Sequence, residues 1–203
     1  MSRKDYFNKV AETWDQEFCT SHLMNFLEKF VSCFGLKAGD RVLDVGTGTG
    51  VIIPFLIRIV KPSGSMTAID YSKKMVQISK RKYSHLPNVA IKHLDVEEID
   101  FPSESFDAVT CFGLFPHLEN KKKALLQMNR VLVSGGKLII AHALSSNEIK
   151  LHHRIRKRSP VSQDELPQKS DMRRLLKKTG FEKISIKDEP GRYLCLSFKS
   201  CSP

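Results

Sequence analysis

The sequence predicts an α/β protein built on a mainly parallel sheet with helices on both faces. Short apolar runs alternate with amphipathic stretches along most of the 203 residues, an order that is typical of βαβ units. A glycine-rich turn follows the first of these runs, and an acidic residue follows or ends each of the next two. Because ligands bind beyond the carboxyl ends of the strands in such sheets, these positions predict a binding site.

The individual elements follow from hydrophobic spacing and from capping residues. The first thirty-odd residues carry apolar side chains at helical spacing and are predicted to be helical. Ser72 is expected to cap a helix, and Pro54 is tolerated in the first turn of another. Strands are predicted over residues 41–45, 65–70, 89–94, 106–112 and 137–141, with a turn at Gly135-Gly136 before the last. Helices are predicted over 51–60, 72–83 and 120–131.

The C-terminal part predicts two further helices and a hairpin. Ser145 and Glu148 form a capping box, so a helix is expected to begin there. Ser170 is expected to cap a second helix that ends at Gly180. Two alternating runs follow, joined by turn residues, and predict an antiparallel hairpin. These runs are 183–187 and 193–198.

Composition excludes several classes of protein. Hydrophobic residues make up 41% and charged residues 27% of the chain, as in a folded globular protein. The most apolar stretch, 51–60, is interrupted by Pro54 and Arg58 and is shorter than the roughly 20 residues that a membrane span needs. The N-terminus lacks the apolar core of a secretory signal. Five cysteines without CxxC spacing predict neither disulfides nor a zinc site and favour a reducing, cytoplasmic location.

The chain is basic, with 33 Lys+Arg against 22 Asp+Glu and a net charge of +11. Such an excess can steer anionic partners, although basic residues scattered over helices more often form only a solubilising surface. One basic run contains Arg154, Arg156, Lys157 and Arg158. It lacks the interleaved aromatic residues on which bases stack. Nucleic acid is therefore a partner that the sequence permits but does not favour.

The first strand ends in a glycine-rich turn that runs from Asp44 to Gly50. Glycine at positions 46, 48 and 50 removes side chains where the backbone must turn and approach a ligand. The helix that follows points its free N–H groups at that ligand. The spacing is GxGxG and not the GxGxxG of nicotinamide dinucleotide binders, which disfavours an oxidoreductase. Tight packing of the strand against the helix is the alternative explanation of the glycines.

Three carboxylates lie at or near the ends of the first three strands. Asp70 ends the second strand, where a carboxylate can accept both hydroxyls of a ribose. Asp95 follows the third strand and is expected near an adenine edge. Asp44 lies at the first strand. Any one of them can be a helix cap, but three in register predict a nucleoside site.

These motifs together resemble the class I S-adenosylmethionine-dependent methyltransferases. The segment from Tyr6 to Asp15 looks like the lid helix of their small-molecule branch, the methyltransferase type 11 group, which includes the ubiquinone/menaquinone C-methyltransferases. The resemblance is close over residues 5–145. It implies a Rossmann-like, seven-stranded sheet of order 3-2-1-4-5-7-6 with the last strand antiparallel. The motifs that carry it are 42–50, 68–75, 94–102, 106–109 and 129–136.

The resemblance also implies a cofactor and its contacts. S-adenosylmethionine would bind and leave as S-adenosylhomocysteine. Asp44 would face its ammonium group, Asp70 its ribose hydroxyls and Asp95 its adenine amino group. The expected cofactor residues are Trp14, Asp44, Gly46, Thr47, Gly48, Gly50, Asp70, Tyr71, Met75, Asp95, Val96 and Phe112. One methyltransferase domain is expected over 1–203, with lid helices at 1–34 and a substrate-side helix and loop insertion at 145–170.

Two histidines follow strands at the ligand edge and are candidates for general base catalysis. They are His142 and His117, and a histidine titrates near pH 6.5, which suits that task. The alternative interpretation is that both histidines have only a structural role. His142 with Glu148 and His152 is an alternative set for a metal or a metal-bearing substrate, although its spacing matches no standard zinc motif.

The sequence thus predicts methyl transfer to a small-molecule acceptor by in-line displacement. The residues after the fourth strand, from Phe112 to His117, lack the Asn/Asp-Pro-Pro-aromatic motif of enzymes that methylate exocyclic amines of bases. Two alternatives remain open. One is an RNA or protein methyltransferase that uses the basic surface, and the other is a partner protein that binds the cofactor without turnover. The sequence specifies neither the acceptor atom nor the oligomeric state.

Overall fold

The computed structural model describes residues 1–155 and 159–201. Arg156, Lys157 and Arg158 of the basic run lie outside the described residues. The strands are β1 (Arg41–Val45), β2 (Ser65–Asp70), β3 (Val89–His93), β4 (Phe106–Phe112), β5 (Leu132–His142), β6 (Phe181–Glu189) and β7 (Arg192–Lys199). The helices are α1 (Arg3–Val10), α2 (Trp14–Phe18), α3 (Ser21–Phe30), α4 (Ile53–Val60), α5 (Lys73–Tyr83), α6 (Lys121–Val131), α7 (Ser146–Ile155) and α8 (Lys169–Lys178).

The seven strands form one sheet in the order β3-β2-β1-β4-β5-β7-β6. The first five are parallel, and β7 lies antiparallel between β5 and β6. This confirms the expected fold class and strand order. The strand order switches direction between β1 and β4, because β2 and β3 lie on one side of β1 and the later strands lie on the other. Such folds bind ligands in the crevice at the carboxyl ends of the two strands that flank this switch point.

The core lies on both faces of the sheet because successive residues of a buried strand point to opposite sides. In β1, Leu43 packs against α6 and Val42 against the layer of α3 and α4. A third, smaller apolar cluster joins α1 to α5 through Phe7 and Met75. The N-terminal helix is therefore seated on the sheet domain through a core of its own. None of the described helices is long and apolar enough to cross a membrane.

Two of the three predicted helix caps are confirmed by hydrogen bonds between the capping side chain and a backbone N–H group. The Ser72 hydroxyl accepts a hydrogen bond from Met75 N at 3.3 Å, and α5 begins at the next residue. Ser145 N donates to Glu148 Oε2 at 2.7 Å, and Glu148 N donates to Ser145 Oγ at 3.3 Å, which completes the capping box. Ser170 is the exception, because α8 already begins at Lys169.

Strand β5 begins five residues earlier than its hydrophobic run predicts. Gly135-Gly136 lies inside the strand, where the expected turn is instead an irregularity in its pairing with β4. Gly135 takes a φ of +69° there, which glycine tolerates. Lys199 Nζ donates to Leu132 O at 2.7 Å and so ties the start of β5 to the last strand.

Two adjacent leucines of α6 offer a matched test of this core. Leu125 is fully buried beneath the sheet, whereas Leu126 is 47% exposed. We expect Leu125→Ala to lower the free energy of unfolding by about 2–5 kcal/mol, because it removes buried methyl groups and leaves a cavity. Leu126→Ala is expected to change it by less than about 0.5 kcal/mol. Urea denaturation of both variants measures the difference, and similar losses would contradict this packing.

Candidate active site

Two adjoining cavities open at the carboxyl edge of β1, β2 and β4. The first has a volume of about 220 Å³ and extends toward α2 and α7. The second, of about 390 Å³, extends toward the end of β3. They share part of their walls and so lie side by side, and together they are called the crevice below. The shared residues are Gly46, Asp70, Tyr71, Leu114 and His117.

The glycine-rich turn forms the floor between the two cavities. Gly46 and Gly48 have φ values of +70° and +56°, in the left-handed region that favours glycine. A Cβ at Gly46 would lie 2.6 Å from Leu114 Cδ2, whereas nothing lies within 4 Å of the Cβ position of Gly48. Gly46 therefore lets Leu114 approach, and Gly48 presents bare backbone to the crevice.

Asp70 anchors this turn from the end of β2. Its Oδ2 accepts a hydrogen bond from Gly48 N at 2.9 Å, and its Oδ1 accepts one from Ser72 N at 2.8 Å. Burial raises the pKa of Asp70 to about 6, although the two backbone N–H groups oppose that shift. The carboxylate still lines both cavities. Each oxygen keeps a second lone pair for a ligand hydroxyl.

Asp44 is a buried carboxyl group that faces the first cavity. Its Oδ1 accepts a hydrogen bond from Thr110 Oγ1 at 2.7 Å. Its Oδ2 is buried and has no hydrogen-bond partner among the described residues. Burial raises the pKa of this carboxyl to about 7. A buried acid in this state is completed by a cation, since a positive charge restores the ionised form.

Four buried polar atoms without a hydrogen-bond partner in the described chain belong to residues that line the first cavity. They are Asp44 Oδ2, Thr47 Oγ1, Tyr71 OH and His142 Nε2. Native proteins pair almost all buried polar groups, and an unpaired one costs about 1–3 kcal/mol. Their convergence on one cavity indicates a ligand that supplies the missing partners.

The second cavity has the residues expected near an adenine ring. Asp95 is exposed on its wall, and its Oδ1 accepts a hydrogen bond from Glu97 N at 2.9 Å. Val96 is buried beside it and offers an apolar surface. Tyr71 lies where the two cavities meet.

The N-terminal helices cover the first cavity as the sequence predicts for a lid. Trp14 lines it from α2, and Phe7 lines it from α1. Side-chain hydrogen bonds tie the lid to the sheet domain. Asn8 Oδ1 accepts hydrogen bonds from Ser72 Oγ at 2.8 Å and Lys74 N at 3.1 Å. Asp15 Oδ1 accepts one from Thr49 Oγ1 at 2.5 Å.

Most of the expected cofactor residues meet in this crevice. Trp14, Asp44, Gly46, Thr47, Gly48, Asp70, Tyr71, Met75 and Phe112 line the first cavity, and Asp95 and Val96 line the second. Gly50 lines neither cavity. A Cβ there would lie 2.6 Å from Tyr83 Cε2 and 2.8 Å from Ser79 Oγ. Its role is to let the turn pack against α5.

The two candidate bases also reach the first cavity. His142 is 6% exposed at the end of β5, and burial lowers its pKa to about 3. The ring is therefore neutral at physiological pH. His117 lies on a 3-10 turn after β4, and its Nδ1 lies 2.8 Å from Asp164 Oδ2.

The alternative metal set does not come together. Glu148 Oε2 accepts hydrogen bonds from Ser145 N at 2.7 Å and from Gly191 N at 2.9 Å, so its carboxylate is used in the helix cap and the hairpin turn. His142 and His152 line the cavity, but Glu148 does not. Within the described ranges, no group of three or more His, Cys, Asp or Glu side chains could hold a metal ion.

Comparison with known proteins agrees with this geometry. The family model for the methyltransferase domain matches residues 43–140. Nearly half of the chain is therefore similar to this methyltransferase domain. Demethylmenaquinone methyltransferase of Staphylococcus aureus (strain JH9) is 40% identical over 106 residues, which cover 52% of this chain and 44% of that protein. The chain therefore matches less than half the length of this curated relative.

Solved structures share the fold over nearly the whole chain. A SAM-dependent methyltransferase from Aquifex aeolicus superposes with a TM-score of 0.73 at 23% identity, and covers 98% of this chain and 99% of its own. A SAM-dependent methyltransferase from Thermotoga maritima gives 0.73 at 18% identity, with 96% and 98% coverage. The methyltransferase family and fold imply S-adenosylmethionine as the cofactor.

The residues of the methyltransferase crevice fit this cofactor. The unpartnered Oδ2 of Asp44 suits an ammonium group, and the bare backbone of Gly48 leaves room for the methionine chain. Asp70 offers two oxygens to ribose hydroxyls, and Asp95 offers an acceptor to an amino group. These acceptors therefore suit three polar parts of the cofactor, which are its ammonium group, its ribose hydroxyls and its adenine amino group.

Sequence reasoning missed several residues of the site. Asp164 is 5% exposed and meets His117. It lies in the predicted substrate-side insertion 145–170, but no pattern there distinguishes it from the other polar residues. Arg3 reaches the same carboxylate from the start of α1. Neither has a local signal, because the residues they meet are far away in sequence. The apolar walls contributed by Phe18, Leu23 and Ile149 were also not singled out.

Proposed function

We propose that this protein transfers a methyl group from S-adenosylmethionine to a small, mainly apolar acceptor. The observation that carries the proposal is the convergence of four unpartnered buried polar atoms on one largely apolar cavity above the glycine turn. A general packing role for the glycines leaves these atoms unexplained. A ligand with an ammonium group and several hydroxyls explains them.

The cofactor would occupy both cavities. Its adenine would lie between Asp95 and Val96, its ribose on Asp70, and its ammonium group against Asp44. Tyr71 and Met75 would border the ribose, and Gly46, Thr47 and Gly48 the methionine chain. When bound, the cofactor supplies an electrophilic methyl group on a positively charged sulfur.

The remainder of the first cavity would hold the acceptor. Its outer wall is formed by Phe18, Leu23, Leu144 and Ile149, which are apolar. His142 is a buried polar residue that lines the same cavity. An apolar ring with one hydroxyl or amine fits such a surface. The similarity to the Staphylococcus aureus demethylmenaquinone methyltransferase supports a quinone-like ring.

The chain's own contribution would be positioning and exclusion of water. Holding an acceptor in line with a methyl group can remove on the order of 7–11 kcal/mol from a barrier. Phe7 and Trp14 of the lid line the cavity and would close it over the reacting atoms. His142, held neutral by burial, would orient the acceptor by a hydrogen bond.

Calorimetric titration with S-adenosylhomocysteine is the first test, with NAD as the control ligand. We expect micromolar binding of S-adenosylhomocysteine and none of NAD.

The second test is a turnover assay. Wild-type protein and His142→Phe are each incubated with methyl-labelled S-adenosylmethionine and with reduced 1,4-naphthoquinone as a probe acceptor. We expect labelled product from the wild type. The variant is expected to turn over at least about tenfold more slowly, with unchanged cofactor binding. Absence of cofactor binding to folded protein would overturn the proposal.

The same experiment separates the two alternatives. A partner protein without turnover would bind the cofactor but label no acceptor in a pool of small molecules, RNA and protein. An RNA methyltransferase would label RNA, with binding that weakens steeply as salt is raised. Labelling of the small-molecule fraction alone supports the proposal.

We also propose that the protein acts in a reducing, cytoplasmic setting as one domain with a lid and a substrate-side insertion. All five cysteines are free thiols. The lid helices and α7 both line the first cavity, which supports their proposed places beside the cofactor and the acceptor.

A further inference from the structure

A chain of three side chains joins the N-terminal helix to the cavity through Asp164. Arg3 of α1 donates to Asp164 Oδ1 from Nη2 at 2.6 Å and to Oδ2 from Nε at 3.0 Å. Asp164 Oδ2 also lies 2.8 Å from His117 Nδ1. The side chains of Asp164 and His117 are 2% and 9% exposed. Buried, fork-like pairing of this kind fixes geometry as well as charge.

The charges of these three side chains determine which nitrogen of His117 carries the proton. Burial opposes ionisation of Asp164, but the hydrogen bonds from His117 and Arg3 outweigh it and hold the pKa of the carboxyl well below its usual range. Burial lowers the pKa of His117, so its ring is neutral at physiological pH. Since a carboxylate only accepts hydrogen bonds, Nδ1 must donate, and Nε2 is left unprotonated.

The surroundings of the His117 ring leave Nε2 open to the crevice. The Phe7 ring packs edge-on against it at 5.2 Å between centroids, and the His153 ring lies tilted at 4.9 Å. His153 is itself held, because its Nδ1 donates to Asp164 O at 2.5 Å. The His117 ring lines both cavities, and Nε2 has no hydrogen-bond partner among the residues described.

We propose that His117 Nε2 accepts the proton of the methyl acceptor, and that Asp164 and Arg3 are positioning residues that keep this nitrogen unprotonated and aimed into the crevice. The inference rests on the proposed function. The acceptor's proton moves to Nε2, and the electron pair that it leaves behind forms the new bond to the methyl carbon. The methyl–sulfur bond breaks with its electron pair remaining on sulfur. The His117 imidazolium, stabilised by Asp164, then releases the proton to solvent.

His142 is less suited to this step. Burial lowers its pKa to about 3, and no carboxylate lies among its hydrogen-bond partners in the described chain. Asp164, in contrast, favours the protonated form of His117 that the step creates. Because Arg3 belongs to the lid, the positioned base is complete only when α1 is seated. This arrangement couples proton transfer to closure of the site.

The tautomer of His117 tests the inference without any acceptor. We would record long-range ¹⁵N–¹H spectra of histidine-labelled protein loaded with S-adenosylhomocysteine, and assign His117 with His117→Gln. In the wild type, Nδ1 is expected to be protonated and Nε2 bare. Asp164→Asn presents an amide N–H to Nδ1, so the proton is expected to move to Nε2. A wild-type ring protonated at Nε2, or a tautomer unchanged by Asp164→Asn, would overturn the inference.

Asp107→Asn is the matched control, because Asp107 forms a comparable pair with Arg41 at the opposite edge of the sheet. It should leave the His117 tautomer unchanged. The titration of His117 is followed in the same spectra, with Arg3, His142, His153 and Asp164 as the charged or titratable groups around it. We expect the pKa of His117 to fall in Asp164→Asn and to remain unchanged in Asp107→Asn.

Turnover of reduced 1,4-naphthoquinone gives the functional readout. Asp164→Asn is expected to lower kcat by about 10- to 100-fold, with little change in cofactor affinity. This loss is smaller than the roughly 100- to 10,000-fold that general base catalysis contributes, because the base itself remains. A fall that disappears at high pH would point to a titration effect alone and overturn the positioning role. Loss of cofactor binding in the wild type would instead overturn the proposed function, whatever the tautomer.

Discussion

Replacing Asp70 with asparagine is expected to weaken binding of S-adenosylhomocysteine by about 10- to 100-fold. The carboxylate holds Gly48 N and Ser72 N and is the proposed acceptor for both ribose hydroxyls. Hydrogen bonds to a charged group contribute about 1.5–3 kcal/mol, which corresponds to this range of affinity. The amide offers one acceptor where the acid offers two, and its N–H₂ faces an N–H donor. Calorimetric titration at pH 7.5 measures the loss.

Asp107→Asn serves as the control for this measurement as well. It removes one carboxylate of similar chemistry at the far edge of the sheet, where it pairs with Arg41 and lines neither cavity. Its affinity for S-adenosylhomocysteine should match that of the wild type. Equal affinities of wild type and Asp70→Asn, with both proteins folded, would show that the ribose does not lie on Asp70.

Asp44→Asn is expected to change stability in a pH-dependent way. Burial raises the pKa of Asp44 to about 7 from its usual value of 3.8. The folded protein therefore binds this proton more tightly than the unfolded chain, and its stabilising effect is lost as pH rises from about 4 to about 7. An asparagine has no such dependence. The free energy of unfolding of the variant relative to the wild type should therefore grow by about 2–4 kcal/mol between pH 4.5 and pH 8.

Urea denaturation without cofactor at both pH values measures this gap. The pKa of Asp107 is lowered by its hydrogen bond with Arg41, so Asp107→Asn should move the gap in the opposite direction. Asp70 is present in both the wild type and Asp44→Asn, so its titration cancels when their free energies of unfolding are compared. A gap for Asp44→Asn that stays constant with pH would contradict a proton on Asp44 in the free protein.

The same variant should bind the cofactor more weakly at pH 8, although its stability relative to the wild type is greater there than at pH 4.5. Asp44 is the proposed partner of the ammonium group, and an amide cannot supply the negative charge. An interior carboxylate retained at a cost to stability is a feature of sites that bind a cation. Tighter binding of S-adenosylhomocysteine by Asp44→Asn would overturn this assignment.

The sequence by itself determined the sheet and the cofactor edge. Strands β1, β2 and β4 begin and end where their apolar runs do, because each is buried on both faces and bounded by turn residues. The glycine turn and the acids at positions 44, 70 and 95 sit at strand ends, so their shared edge follows from the parallel topology. Local chemistry and topology were sufficient there.

Only the tertiary structure decided the acceptor side. Gly50 belongs to the same glycine pattern as Gly48, yet it packs against α5, which spacing alone does not reveal. Asp164 meets His117 across 47 residues and Arg3 across 161. Such contacts depend on how the lid and the segment after α7 fold back over the sheet. A carboxylate in a polar loop has the same local sequence signal whether it faces solvent or positions a buried imidazole.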